Sequence, residues 1–288
     1  MDVLGLGQCV VDRLALVDRY PAPDEKREFE TMFVSCGGPA ATALVALSRW
    51  GRACSFVGVV GDDEEGGLIR DDLVSEGVNA SGLILRPGTH SQFAFIAVEK
   101  DRGSRIIFWR RPTGAPPAPV EVPAAVPRVF LTDGLFVEAS VETARRLKGK
   151  SLVVVDAGTL REGTEAMLPL ADVFVASSSF ARAWMGGDDP RGACERMRAM
   201  GVTVAGVTLG ERGHVASFED RLIEGPAQVV EAIDTTGCGD VFHAGLIEGH
   251  LAGWDWERSF EFAAWAASHC ATRVGTRAGI PARPDFAF

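Results

Sequence analysis

The stretch Ile233–Leu246, "IDTTGCGDVFHAGL", decides how the rest of the chain is read. Asp234, Thr235 and Thr236 run into Gly237, Cys238 and Gly239, and Asp240 then opens an apolar segment whose pattern predicts a helix over 238–252. The start of such a helix leaves N–H groups without intrahelical partners and carries the positive end of the dipole, so anions bind there. Glycine lets another molecule come close to the main chain. A carboxylate at Asp240 would stand beside a bound phosphate and take a proton from an attacking hydroxyl, while the backbone at 237–239 stabilises charge on the transferring group. The plainer alternative is that Asp234 or Thr235 caps the helix and Asp240 only complements its dipole. This is not a Walker A loop, because the lysine of that motif is missing.

Outward from this stretch, short apolar runs alternate with helix-period segments. "VLGLG" and residues 54–61, 128–134, 151–158, 173–177 and 202–210 read as buried strands. Helices are expected over 39–50, 66–76, 140–148, 179–186, 190–200, 238–252 and 257–273, with Pro39 suited to a first helical position and Gly51 to an exit. Strands alternating with helices predict an α/β fold with a mainly parallel sheet covered on both faces. Two stretches, 11–35 and 91–112, instead alternate apolar and charged residues, and "KDRG" at 100–103 looks like a hairpin turn. They are expected to form a small β-sheet lid, with 1–10, 36–90 and 113–288 making the larger domain and the Pro-rich 111–127 as return connection.

The totals bound the function. A chain of 288 residues with 47% hydrophobic composition can bury a large core, and a net charge of −10 argues against a nucleic-acid partner. Six scattered cysteines give neither a zinc signature nor a compact disulfide framework. The first residues lack a basic leader with a cleavage site, and no run approaches the roughly 20 apolar residues of a membrane span. A soluble, cytoplasmic protein with no membrane partner is the expectation.

"DTTGCGDVFHAGL" (234–246) resembles the C-terminal signature of the ribokinase or PfkB sugar-kinase family, and the resemblance extends over essentially the whole chain. "GQCVVDR" (7–13), "CGGPAATALVALSRWG" (36–51) with "FVGVVGDDEEG" (56–66), "VTLGERG" (207–213) and "ATRVGTRAGIP" (271–281) match further family motifs in the same order. The resemblance implies a ribokinase-like three-layer sandwich with a lid, and in-line transfer of the ATP γ-phosphate to a sugar hydroxyl with Mg2+ neutralising the phosphates. It makes Asp240 the base and 237–239 the anion hole. It places Asp12, Gly37, Gly38 and Thr42 at the sugar, and Thr208, Gly210, Gly213, Ala264 and Ala267 at the nucleotide. Asp234, Thr236, Ala271, Val274 and Thr276 fall where relatives bind a monovalent cation such as K+. A homodimer through the lid is also implied. His243 and His269, without partnered spacing, read as packing or surface residues.

Three departures stand out. Thr42 occupies a position commonly filled by asparagine, Phe180 the glutamate position of an N-x-x-E motif, and Cys238 the usual alanine of the anion hole. Cysteine there is a small, tolerable substitute. "GGPAATA", "DTTGCGDVFHAGL" and "TRVGTRAGIP" together look most like sulfofructose kinases, and "VVDRLALVDRYPAPDE" like ketohexokinases. Both favour a ketose-like acceptor. Lys26, Arg110 and Arg111 are candidates to meet a sulfonate or phosphate on it, whereas Trp109 and Leu135 stand where polar contacts would be expected. A nucleoside kinase, with Phe93, Phe95, Phe108 or Trp109 against a base, and a catalytically weak sugar- or nucleotide-binding regulator are the alternatives.

Overall fold

In Val129–Thr132 every residue is buried, the pattern of a parallel strand covered on both faces. The computed structural model, which describes residues 1–100, 104–121 and 125–284, sets this strand inside a nine-stranded sheet. In chain order the strands are β1 (Val3–Leu6), β2 (Val10–Val17), β3 (Thr31–Gly37), β4 (Cys54–Gly61), β5 (Asn79–Arg86), β6 (Phe93–Glu99), β7 (Arg105–Arg110) and β8 (Val129–Thr132). They continue as β9 (Leu152–Ala157), β10 (Val173–Ser177), β11 (Val204–Thr208), β12 (His214–Phe218) and β13 (Arg221–Gly225). The helices are α1 (Pro39–Arg49), α2 (Glu64–Ser75), α3 (Val137–Leu147), α4 (Glu162–Met167), α5 (Ser178–Met185), α6 (Pro190–Ala199), α7 (Cys238–Ala252), α8 (Trp256–Cys270) and the single turn α9 (Thr276–Gly279).

The large sheet has the order β13-β12-β11-β10-β9-β8-β1-β4-β5. It is parallel from β11 to β5, and β12 and β13 close one edge as an antiparallel hairpin. Side chains alternate between its faces. Val129 and Leu131 join one apolar layer with Leu44 of α1, Val241 of α7 and Phe260 of α8. Phe130 joins the other, with Leu147 of α3, Met167 of α4, Phe180 of α5 and Met197 of α6. That makes the fold the expected ribokinase-like three-layer sandwich.

A second, four-stranded sheet has the order β3-β2-β6-β7. Its two hairpins come from the charged, alternating stretches, and they meet through parallel pairing of β2 with β6, from Val11↔Phe93 to Val17↔Glu99. β6 and β7 pair antiparallel, while 101–103 of the "KDRG" turn lie outside the described residues. Leu14, Ala94 and Ile96 form its small buried cluster, against which Val274 packs from the loop before α9.

Several elements were not anticipated. β5 is half-exposed along the sheet edge and carries Gly82 in its interior, so it lacks both the continuous apolar run and a clean alternation. β12 and β13 belong to a short hairpin turning at Glu219, which adopts φ +51°. The expected strand over 202–210 stops at Thr208 and passes into one 3-10 turn, Gly210–Arg212.

Candidate active site

The site lies where the large sheet, the small sheet and the start of α7 converge. β3 ends at Gly37, and Gly38, at φ +103°, turns the chain into α1, whose first turn carries Thr42. A Cβ at Gly38 would collide with the carbonyl of Gln8, so no other residue fits that turn. Asp12 projects from β2 toward the same corner. A Cβ placed on Gly37 would stand 3.0 Å from Asp12 Oδ2 and 3.9 Å from Thr276 Oγ1. One placed on Gly237 would run into the Thr276 methyl. Asp12, Gly37, Thr276 and Gly237 therefore form one continuous wall.

Gly237, at φ +82°, precedes the first residue of α7, and Asp240 stands in the first turn. Among the described residues the N–H groups of Gly239 and Asp240 meet no acceptor outside the helix. Asp240 is pushed well above the usual carboxylate range by burial first, then by Asp156 and, more weakly, Asp133. The Thr42 hydroxyl and the Arg277 guanidinium oppose that rise. Asp12 is raised by burial to about 6, with Arg277 pulling down and Asp234 pushing up. Among the described residues none donates a hydrogen bond to the Asp12 carboxylate.

Arg277 is the central cation, and the sequence reading missed it. It is 8% exposed, donates from Nε and Nη2 to Asp72 Oδ2 at 3.1 and 2.9 Å, and donates from Nη1 to Thr42 Oγ1 at 3.0 Å. The only signal in the sequence was a second arginine in the otherwise small-residue loop "TRVGTRAGIP".

His243, read as a packing or surface residue, is buried and polar-bonded instead. One turn below Gly239, its Nδ1 lies 2.8 Å from the Gly239 carbonyl and 3.2 Å from Asp156 Oδ2, and Nε2 lies 3.2 Å from the Val175 carbonyl. The short contact to Gly239 takes the better alignment and leaves Asp156 Oδ2 buried without a hydrogen bond. Asp133 is engaged: its oxygens accept from the N–H groups of Gln8 at 2.7 Å and Leu135 at 2.9 Å. Phe180, at the expected glutamate position, is a core residue packed on Phe174 with ring centroids 5.6 Å apart.

Of the expected nucleotide residues, Thr208, Gly210 and Gly213 follow one another at the end of β11, and Ala264 and Ala267 lie on α8. Thr208 closes β11, with Gly210 exposed in the following turn. Gly213 is buried against the backbone of 225–227, where a Cβ would not fit. Ala264 and Ala267 lie three residues apart on α8, and both pack on the core. Of the five residues expected at a monovalent cation, Asp234 and Ala271 are joined directly, and Val274 and Thr276 flank Gly275, which Asp234 also binds. Asp234 accepts from the N–H of Thr236 and of Gly275, both at 2.9 Å, and the Ala271 carbonyl accepts from Ile233 and Asp234 at 2.8 and 3.1 Å. These bonds tie the 271–276 loop to the start of α7.

The cations expected for an anionic acceptor are dispersed. Lys26 is exposed between β2 and β3. Arg110 donates to Asp63 Oδ2 and the Ser91 carbonyl, both at 3.3 Å, and Arg111 lies over Trp109 at 4.9 Å.

The family model for pfkB family carbohydrate kinase matches residues 2–283, and the chain belongs to that family. Over 97% of its length it is 27% identical to a nucleoside kinase of Methanothermobacter thermautotrophicus, covering 92% of that protein. It is 24% identical to the ribokinase of Haemophilus influenzae, covering 97% of this chain and 95% of the other. A solved structure from Agrobacterium tumefaciens superposes with a TM-score of 0.89 at 26% identity, covering 97% and 94% of the two chains. The chain is thus an ATP-dependent kinase of sugar-like substrates.

Proposed function

We propose that the chain transfers the γ-phosphate of ATP to a hydroxyl of a small sugar, a ketose by preference, with Asp240 as general base. The observation that supports this reading is that Thr276 borders both Gly237, at the start of the helix whose first turn carries Asp240, and the corner lined by Asp12 and Gly37. The acceptor hydroxyl gives its proton to Asp240 as its oxygen bonds to the γ-phosphorus, and the bond to the bridging oxygen breaks to release ADP. The N–H groups of 237–239 meet the charge on the transferring phosphoryl group. Magnesium bound with ATP supplies charge neutralisation at the phosphates. Asp156, whose Oδ2 is buried without a hydrogen bond, fits the task of holding it directly or through water where Phe180 replaces glutamate.

The ketose preference rests on the resemblance of 10–25 to ketohexokinases. Because Arg110 is already held by Asp63, a neutral ketose accords better with the site than an anionic one. The test is ADP release from ATP and Mg2+ with fructose, fructose 1-phosphate, fructose 6-phosphate, sulfofructose, tagatose 6-phosphate, ribose and adenosine. Fructose as best acceptor supports the reading, and a phosphorylated or sulfonated ketose would shift the work to Lys26. Adenosine as best acceptor would replace it with the nucleoside kinase reading, and no turnover at all with intact ATP binding would favour a regulator. With the best acceptor, Asp12 should set the pH dependence of binding. Its carboxylate accepts sugar hydroxyls when ionised, so with a pKa of about 6 the acceptor KM should rise about tenfold from pH 7 to pH 5. A flat KM would remove Asp12 from the sugar.

A homodimer through the small sheet is part of the same proposal. Its edge strands β3 and β7 expose Val34, Ile107, Phe108 and Trp109 at 51, 49, 64 and 54%. Exposed apolar edges of this kind are normally covered. Light scattering should give twice the 30.7 kDa chain mass, and a monomer mass at every concentration would rule the dimer out.

A further inference from the structure

We infer that Cys238 and Cys270 are a redox pair: a peroxide joins them as a disulfide that disables the phosphate-binding turn, and a dithiol releases it. The inference rests on the reading of 237–239 as the backbone that meets the transferring phosphoryl group, and adds a control to it.

The pair follows from the packing of α7 on α8. A Cβ added at Gly245 would stand 2.5 Å from the Ala263 Cα, and one added at Gly249 would stand 3.0 Å from the Ser259 Cα. Four residues forward on α7 thus answer to four residues back on α8, so the helices are antiparallel and touch backbone to backbone. Residues three and four apart share one helix face. Followed toward the start of α7, the same seam sets Phe242 opposite Ala266, and Cys238, the first residue of α7, opposite Cys270, the last of α8. Phe242, Ala266 and Cys270 belong to one apolar cluster, and Cys238 packs against it. The seam is fastened just beyond these ends, where the N–H groups of Ile233 and Asp234 donate to the Ala271 carbonyl at 2.8 and 3.1 Å. A disulfide needs Cα atoms roughly 4.4–6.8 Å apart, closer than the axes of ordinarily packed helices, and the two seam glycines permit that approach. The neighbouring Cys238 and then burial push the Cys270 thiol up, in accord with two adjacent sulfurs.

Of the six cysteines, Cys238 alone is half-buried and the other five are buried, so Cys238 is the one an oxidant in solution reaches. Its sulfur attacks hydrogen peroxide; an S–O bond forms, the O–O bond breaks, and the departing hydroxide takes the thiol proton and leaves as water. The Cys270 sulfur then attacks the resulting sulfenic acid; an S–S bond forms, the S–O bond breaks, and the Cys270 proton leaves with hydroxide as a second water. Two electrons pass from the sulfurs to the peroxide, and a dithiol returns them by exchange. Cys238 is the middle residue of the 237–239 turn, with Asp240 two positions on. Linked to Cys270, the turn is drawn toward α8, and its N–H groups no longer hold the positions they take in the reduced chain. A shift of about 1 Å at a reacting centre costs about 10²-fold in rate.

The test is hydrogen peroxide treatment of the whole chain, followed by mass-spectrometric mapping of a digest made without reductant. A peptide joining 238 to 270 is expected, with kcat for ATP, Mg2+ and the best acceptor lowered about 10- to 100-fold. Dithiothreitol should remove the link and restore turnover. Cys270→Ala, measured against its own reduced baseline, has no thiol to resolve the sulfenic acid. Under prolonged peroxide its Cys238 should pass on to the sulfinic acid, and dithiothreitol should not restore its turnover. Absence of the 238–270 link in the folded, oxidised native chain overturns the inference, whether or not Cys270→Ala folds. Equal recovery of the native chain and Cys270→Ala overturns the pairing, and a link formed with kcat unchanged overturns the control. No turnover in the reduced chain would instead tell against the proposed function, while the peptide map still reads the link, so the two failures are told apart.

Discussion

Asp240→Asn is expected to lower turnover by about 10²- to 10⁴-fold while leaving ATP binding intact. The substitution keeps the size of the side chain and its place in the first turn of α7, so the Gly237–Gly239 backbone and its N–H groups keep their arrangement. What it removes is the carboxylate proposed to take the acceptor's proton. It also relieves repulsion, because Asp156 and Asp133 both raise the cost of a charge at this position. The variant should therefore fold at least as well as the native chain, and its loss should appear in kcat. Steady-state ADP release set beside calorimetric ATP affinity checks this. A loss smaller than tenfold would mean that solvent or another group takes the proton.

The second large effect concerns stability. Glu248 of α7 is 0% exposed and is held by Arg52 through Nε and Nη2 at 2.7 and 2.8 Å, and by Arg283 Nε at 2.9 Å. A buried carboxylate costs several kcal/mol to desolvate, and it is tolerated only while its cations remain. Arg52→Met should destabilise the protein by about 3 kcal/mol, since the more exposed Arg283 is left to pair alone. The double variant Arg52→Met with Glu248→Met should recover much of that loss, because neither partner then carries an unpaired charge. Denaturant unfolding of the native chain, both single variants and the double closes the cycle. A double variant no more stable than Arg52→Met would show that packing of the arginine stem, rather than the charge, was lost.

Much of the architecture was legible because parallel strands buried on both faces show as unbroken apolar runs, as in "VFLT" and "VFVAS". The helix start at 238 was legible because its glycines and acid stand together in sequence. Legibility failed where meaning depends on distant partners. Arg277 meets Asp72 across 205 positions and Thr42 across 235, so nothing near it in the chain signals a buried fork. His243 faces the sheet from a helix that is apolar nearly all round, and its partners come from β9 and β10. The bonds from Ile233 and Asp234 to the Ala271 carbonyl, and from Gly275 to Asp234, join segments about 40 positions apart through backbone groups that residue identity does not reveal.

The pairing of β2 with β6 also orders events during synthesis. These central strands of the small sheet are neighbours in space, yet β4, α2 and β5 of the large sheet lie between them in the chain. As the polypeptide emerges from its N-terminus, the hairpin of β2 and β3 must wait, with one long edge unpaired, until residues 93–99 are made. The small sheet is therefore completed only after strands of the large sheet have been made.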